Sequence, residues 1–272
     1  MEWLPWSENQ LMFSEPGPGM PASNAGPWVQ RTVRLLDADP DLAAEMSGGE
    51  LERARHVVLP TIALEAGSWD DAELARVRGV QGEVRGFLVL RGAVTIDLAI
   101  AGQVCTRLLT PGELILLDGS GEDSIPVRAG WTVLESASLA ILDEQLLAIG
   151  SRLPGLLSAL LKRAAEQVRH ALMQQAIGQL PRVEDRLLAL MWSIADRRGV
   201  VRRDGIWVHL PVTHATLAQM IGARRPTVSL GLRTLSERGF LTAENGGWLL
   251  SRASLAEFAS PSRRPDVTTD AP

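Results

Sequence analysis

The chain of 272 residues has one cysteine, Cys105, and only four histidines: His56, His170, His209 and His214. A lone thiol cannot close an intrachain disulfide, and it cannot supply a zinc knuckle or an iron–sulfur ligand set. Sensing through thiolate-bound metal is therefore not expected. The histidines are isolated from one another, and the strand-rich region holds only His56, so a cupin-type metal enzyme and a haem protein both lack support. No serine sits in a Gly-x-Ser-x-Gly elbow, which leaves hydrolase chemistry without a nucleophile. No apolar run approaches the ~20 residues that a bilayer-spanning helix needs. The first basic residue is Arg31, so no secretory leader is visible either. The expectation is a cytoplasmic protein, not an enzyme, with no cofactor and no metal site.

The net charge of −5 conceals an asymmetry along the chain. Residues 182–264 hold 13 basic and 7 acidic side chains, whereas residues 1–181 hold 14 basic and 23 acidic ones. An acidic front joined to a basic back suits a sensor carried on a polyanion-binding module.

Residues 1–30 mix proline, glycine and polar residues with Trp3, Trp6 and Trp28 and show no sustained period, so they are assigned to a flexible arm. Asp39-Pro40 has the form of an N-cap with proline at the first helical position, and Gly48-Gly49 would end that helix. From His56 to Asp143 short apolar or alternating runs are punctuated by Gly92, Gly102, Pro111-Gly112 and Gly119 to Gly121. The runs are Val57–Leu64, Phe87–Leu90, Ala93–Ala99, Val104–Leu109, Leu114–Leu117 and Trp131–Leu142, a spacing that suggests an antiparallel sandwich or jelly roll.

Near Pro154 the period becomes helical. Leu157, Leu161, Ala164, Val168, Ala171, Gln175 and Gly178 alternate steps of four and three, which describes a coiled-coil seam. One reading is a helix packed on its own sheet; the preferred one is a parallel two-helix contact between copies, allowed a close approach by Ala164 and Ala171. Pro181 breaks the helix, and Leu187, Leu190, Met191 and Ile194 mark an amphipathic helix from Val183 to Ala195.

A hairpin follows, with strands Val200–Arg203 and Ile206–Leu210, and then the segment that carries function. Thr213 is an N-cap for a helix with Leu217, Met220 and Ile221 on one face, stopped by Gly222. Pro226 opens a second helix whose stripe is Val228, Leu232 and Leu235, leaving Arg225, Thr227, Ser229 and Arg233 on other faces. Two short helices across a glycine form a helix-turn-helix, and the second can enter a major groove. The Asn245-Gly246 turn between short apolar runs predicts a hairpin placed as a wing.

The stretch Thr213–Leu241 resembles the C-terminal domain of the catabolite-activator and fumarate-nitrate regulator (Crp/Fnr) family. The Gly-x-x-Arg-x-Thr-Val pattern stands here as Gly222-Ala223-Arg224-Arg225-Pro226-Thr227-Val228. FLVLRGAVTI and RLLTPGEL are similar to that family's cyclic-nucleotide-type sensor, and DADPDLA with QLPRVEDRLLAL looks like a bacterial subgroup of unassigned effectors. The resemblance implies an α+β chain with five parts: an arm (1–30), a cyclic-nucleotide-binding-like β jelly roll (31–143), a dimerisation helix region (144–180), a winged helix-turn-helix (181–260) and a disordered tail (261–272).

It also implies a homodimer that binds double-stranded DNA at a near-palindromic operator, with RNA polymerase as a further candidate partner. Arg225 would contact bases, and Thr213, Arg224 and Thr227 the backbone; His214, Pro226, Ser229 and Arg233 complete the candidate DNA-binding set. Pro226 replaces the family's frequent acidic base reader and Leu230 its later arginine, so no known target sequence carries over. The family's phosphate cassette pairs Gly-Glu with a later arginine. Gly112-Glu113 is present, but residues 114–126 contain no basic side chain, so cAMP is not the expected effector and the effector stays open. The rival reading is a ligand-binding or enzymatic β-domain whose helix-turn-helix serves protein interaction.

Overall fold

The computed structural model describes residues 28–69, 84–116, 125 and 127–258. The expected tail, the first 27 residues of the expected arm and the Gly119 to Gly121 punctuation lie outside the described residues. The last three residues assigned to the arm instead begin strand β1 (Trp28–Arg34).

The front half is one antiparallel sheet in the order β1-β2-β7-β4-β5, with β3 on β7 and β6 on β4. Its strands are β2 (Val58–Leu64), β3 (Gly67–Trp69), β4 (Val84–Ile100), β5 (Gln103–Leu109), β6 (Leu114–Leu116) and β7 (Val127–Asp143). Successive strand residues point to opposite faces. Phe87 and Val89 accordingly join the core inside the roll with Ile62, Leu139 and Ile141, while Leu88 and Leu90 face an outer core with Leu35, Leu42 and Leu59. Both faces of β4 are covered here, which is why Phe87 to Leu90 reads as an unbroken apolar run. Phe87–Leu90 and Ala93–Ala99 belong to one strand rather than two. The break between them is a bulge, where the register against β7 shifts on both sides of Arg91 and Ala93.

Helices cover the outer core. After α1 (Leu35–Ala38) a 3-10 turn spans Pro40–Glu45. The expected Asp39 cap does not form, because both Asp39 carboxylate oxygens are taken by the Arg163 guanidinium from the long helix. Gly48-Gly49 does not end a helix but opens α2 (Gly48–Ala54), since the Glu50 carboxylate reaches back to accept the Ser47 N–H at 2.9 Å. The same carboxylate accepts the Gly155 N–H at 2.9 Å, and that bond is the main cause holding the Glu50 carboxyl below its ordinary range.

After α3 (Glu144–Gly150), the long helix α4 (Pro154–Gly178) docks by Leu156 and Ala159 on the outer core. Beyond its first turns it is tied to the sheet by polar bonds. Gln167 accepts the Leu114 N–H at 3.1 Å and donates to the Leu114 carbonyl at 2.6 Å. Gln174 Nε2 donates to the Thr106 carbonyl at 2.8 Å and to the Met220 carbonyl at 3.2 Å.

The back half comprises α5 (Val183–Arg198), β8 (Val200–Val201), β9 (Ile206–His209), α6 (His214–Ile221), α7 (Arg225–Glu237), β10 (Leu241–Glu244), β11 (Gly247–Leu250) and α8 (Arg252–Phe258). Its sheet has the order β10-β11-β9-β8. The stripes expected from sequence meet in one core, where Leu187, Met191 and Ile194 pack with Leu217, Ile221, Val228, Leu232 and Leu235. Among the described residues no helix is long and apolar enough to cross a membrane.

Candidate nucleic-acid interface

Thr213 precedes α6 in an extended conformation, and its hydroxyl oxygen accepts the Thr216 N–H at 3.1 Å. The cap fixes where the helix starts; Gly222 fixes where it stops. Gly222 holds φ +62° and ψ 45°, and the Ala223 N–H returns to the Ala218 carbonyl at 2.8 Å. A left-handed residue reverses the chain into the next helix, a conformation that costs L-residues roughly 1–2 kcal/mol. Gly222→Val is therefore expected to destabilise the back half by at least that ~1–2 kcal/mol, with Gly222→Asn losing less, as read from urea unfolding. A half-buried arginine braces the same turn. Arg186 donates from Nε to the Leu180 carbonyl at 2.6 Å and from Nη1 to the carbonyls of Ile221 and Gly222 at 3.3 and 3.2 Å.

Helix α7 starts after Arg224, with Arg225 first and Pro226 second. Its buried face is Val228, Gly231, Leu232 and Leu235, so helical spacing turns Pro226, Thr227, Leu230 and Arg233 outward. Arg224, Arg225 and Thr227 are exposed, and among the described residues neither arginine makes a hydrogen bond or ion pair within the chain. The two planar donor forks are thus available to an outside acceptor. Arg233 differs, because its Nε donates to Glu237 Oε1 at 2.7 Å and the pair raises the arginine above its ordinary pKa. His214 Nδ1 lies 2.9 Å from the hydroxyl of half-buried Ser229, which ties the first helix to the second.

Leu230 is 61% exposed in the middle of this face. Sequence reasoning treated it only as a lost arginine. An apolar side chain at that place matches the methyl group of thymine, a base-edge feature found only in the major groove.

The wing forms between β10 and β11 through Asn245 and Gly246, both at positive φ. It is not a free arm. Glu244 accepts from Arg202 at 3.0 Å, the Arg202 guanidinium lies 4.7 Å over the Trp207 ring, and Trp207 stacks on His209 with centroids 5.8 Å apart. His209 Nε2 in turn meets Glu135 Oε1 of β7 at 2.6 Å, so a stacked ladder joins the wing's base to the front sheet.

At the expected phosphate cassette the Glu113 carboxylate is occupied. It accepts the Thr110 N–H and hydroxyl at 2.8 Å each, Arg107 at 3.4 Å and Arg197 of α5 at 3.1 Å. Arg163 also passes Gly112, already bound to Asp39. Cations do reach this turn, but from β5, α4 and α5, at sequence distances that a linear motif cannot show. Among the described residues no group of three or more His, Cys, Asp or Glu is placed to hold a metal ion.

On the long helix α4, Leu161 is 70%, Val168 62% and Leu172 61% exposed, and Ala171 and Gln175 are exposed beside them. Leu157 is half-buried, and Ala164 packs partly on the chain's own outer core.

Residues 182–258 match the Crp-like helix-turn-helix domain family. No curated protein matches the chain. Among solved structures, a CooA mutant from Carboxydothermus hydrogenoformans is 21% identical with a TM-score of 0.55, covering 79% of this chain and 91% of that one. A cyclic nucleotide-binding domain containing protein from Listeria monocytogenes EGD-e is 18% identical with a TM-score of 0.57, over 71% and 89%. The c-di-GMP responsive global regulator CLP of Xanthomonas campestris is 17% identical with a TM-score of 0.52, over 75% and 99%. These likenesses extend the shared fold through the front sheet and the long helix. Residues 182–258 belong to the Crp-like helix-turn-helix domain family.

Proposed function

We propose that this chain is a DNA-binding transcription regulator of the Crp/Fnr type that acts in the cytoplasm as a homodimer on a near-palindromic operator, with cAMP not its effector. The observation that carries the reading is the start of α7, where Arg224 and Arg225 stand exposed, and unpaired among the described residues, beside Thr227 and Leu230. Two copies joined along α4 would set their recognition helices in successive major grooves, about 34 Å apart. The exposed apolar stripe of Leu161, Val168 and Leu172 supports that contact, since water-facing leucines on a long helix favour burial against a second copy. Residues 31–143 then form the sensor-like part, 144–180 the dimerising part and 181–260 the DNA-binding part. Against cAMP stands the closed Glu113 turn, whose neighbouring guanidinium groups already have carboxylate partners.

The test is titration of the full chain against duplex DNA at several salt concentrations. Phosphate neutralisation makes log K fall linearly with log salt, by about 0.9 for each phosphate contacted. Fragments selected from genomic DNA should share an inverted repeat. An affinity for duplex that does not change with salt would favour the rival reading, in which the helix-turn-helix serves protein contact.

A further inference from the structure

The junction between the front sheet and the DNA-binding half encloses a cleft of about 80 Å³. Its apolar lining comes from Ala93 and Leu108 of the sheet, Ile194 of α5 and Pro211 just after β9. Ala93, Leu108 and Ile194 are at most 5% exposed. The floor lies at the β4 bulge. Gly92 has φ +83°, and a Cβ there would stand 2.6 Å from the Ser136 carbonyl oxygen, so only glycine lets the strands close behind the cleft.

Four polar residues line the cleft: Thr110 just after β5, Glu135 of β7, His209 of β9 and Arg198 at the end of α5. Three of these are matched, because the Thr110 hydroxyl donates to Glu113 at 2.8 Å and Glu135 Oε1 and His209 Nε2 are 2.6 Å apart. Arg198 is not. Arg198 is exposed, and among the described residues its guanidinium makes no hydrogen bond or ion pair; partial burial is the main cause that lowers its pKa, with Arg197 acting in the same direction and Glu113 and Glu135 against it. A guanidinium has five N–H donors in a planar fork, and a fork that lines a cleft without an acceptor is open to a planar anion.

We propose that this cleft binds a short monocarboxylate of two to four carbons, its carboxylate on Arg198 and its tail against Leu108, Ile194 and Pro211. Size sets the upper limit, because an apolar cavity of ~150 Å³ takes the six carbons of benzene, and a cleft half as large takes correspondingly fewer atoms. Charge sets the class. A cation would meet Arg198, while Glu135 is already taken by His209, and a second negative charge would find no second unpaired cation in the lining, so one negative charge fits best. Both halves of the chain wall the cleft, so a bound carboxylate favours the docked arrangement over any other that opens it.

The test is isothermal titration calorimetry of the full chain, without DNA, using propionate and butyrate, with formate as the tail-less comparison. Omitting DNA makes the outcome independent of the operator reading. Each methylene buried multiplies affinity about fourfold, so propionate should bind about 15-fold more tightly than formate. Arg198→Gln, at an exposed position, should keep the thermal midpoint and lose propionate affinity by at least about tenfold, as expected for a charge-assisted fork. The proposal is overturned if neither propionate nor butyrate gives saturable heat up to ~10 mM. It is equally overturned if Arg198→Gln binds propionate as the parent chain does, or if formate binds as tightly as propionate.

Discussion

Arg225→Ala weakens binding to the selected operator by about 1–3 kcal/mol for each half-site, and it relaxes base preference at one position of each half-site. The size follows from geometry. Arg225 is the first residue of α7, is exposed and has no partner among the described residues, so its fork can meet the two acceptors of a guanine edge together. A symmetric dimer loses the contact twice, and distant sites add, so the total reaches roughly 2–6 kcal/mol. Arg224→Ala has a different signature. As the residue before the helix it is placed for phosphate, and its loss weakens all sequences evenly and reduces the salt slope by about one per copy. Competition titrations with operator variants separate the two. Unchanged operator affinity in Arg225→Ala would falsify the base-contacting role.

The second large effect is expected on assembly. Val168→Glu sets a carboxylate in the middle of the exposed stripe on α4, between Leu161 and Leu172. Two copies related by a two-fold axis would then bring two like charges into an apolar seam. Desolvating an unpaired carboxylate costs several kcal/mol, and the seam contains it twice. Light scattering should report a monomer, and binding to a full operator should fall to that of a half-site. Since Val168 is 62% exposed in the single chain, the substitution leaves the fold intact, which circular dichroism would verify. A dimeric Val168→Glu would show that copies associate through some other surface.

The helix-turn-helix was legible because everything that specifies it is local. Thr213, Gly222 and Pro226 mark starts and stops within 14 residues, and the stripes Leu217–Ile221 and Val228–Leu235 repeat at helical spacing. The front strands were legible where glycines interrupt them, with one error of the same origin. Gly92 punctuates the sequence as a turn does, yet it sits in a bulge and the strand runs on to Ile100. Strand β1 was missed because WVQRTVR has little apolar alternation and exists through its pairing with β2, some 30 residues away. Helix α8 was missed for a similar reason; it follows the wing, and buried Ser254 anchors it by accepting the Trp192 indole N–H at 3.1 Å.

The long helix was legible in its period, but the face it leaves exposed was less so. Step counting placed Ala164 in the seam, whereas the structure packs it partly on the chain's own core and exposes Leu172. A heptad pattern does not distinguish a neighbour in the same chain from a neighbour in another. The closed Glu113 turn was illegible altogether, since Arg197 is 84 residues away and only the docking of α5 brings it there.

The single amide of Gln174 bonds at once to Thr106 in the sheet and to Met220 of α6, so in the proposed dimer α4 would act as an axle rather than a spacer. A roll of that helix about its own long axis, driven by repacking between copies, would drag both attachments together. The separation of the two reading heads would then be adjusted by gearing, and a shift too small to see as domain movement could still move them out of step with the turns of the double helix.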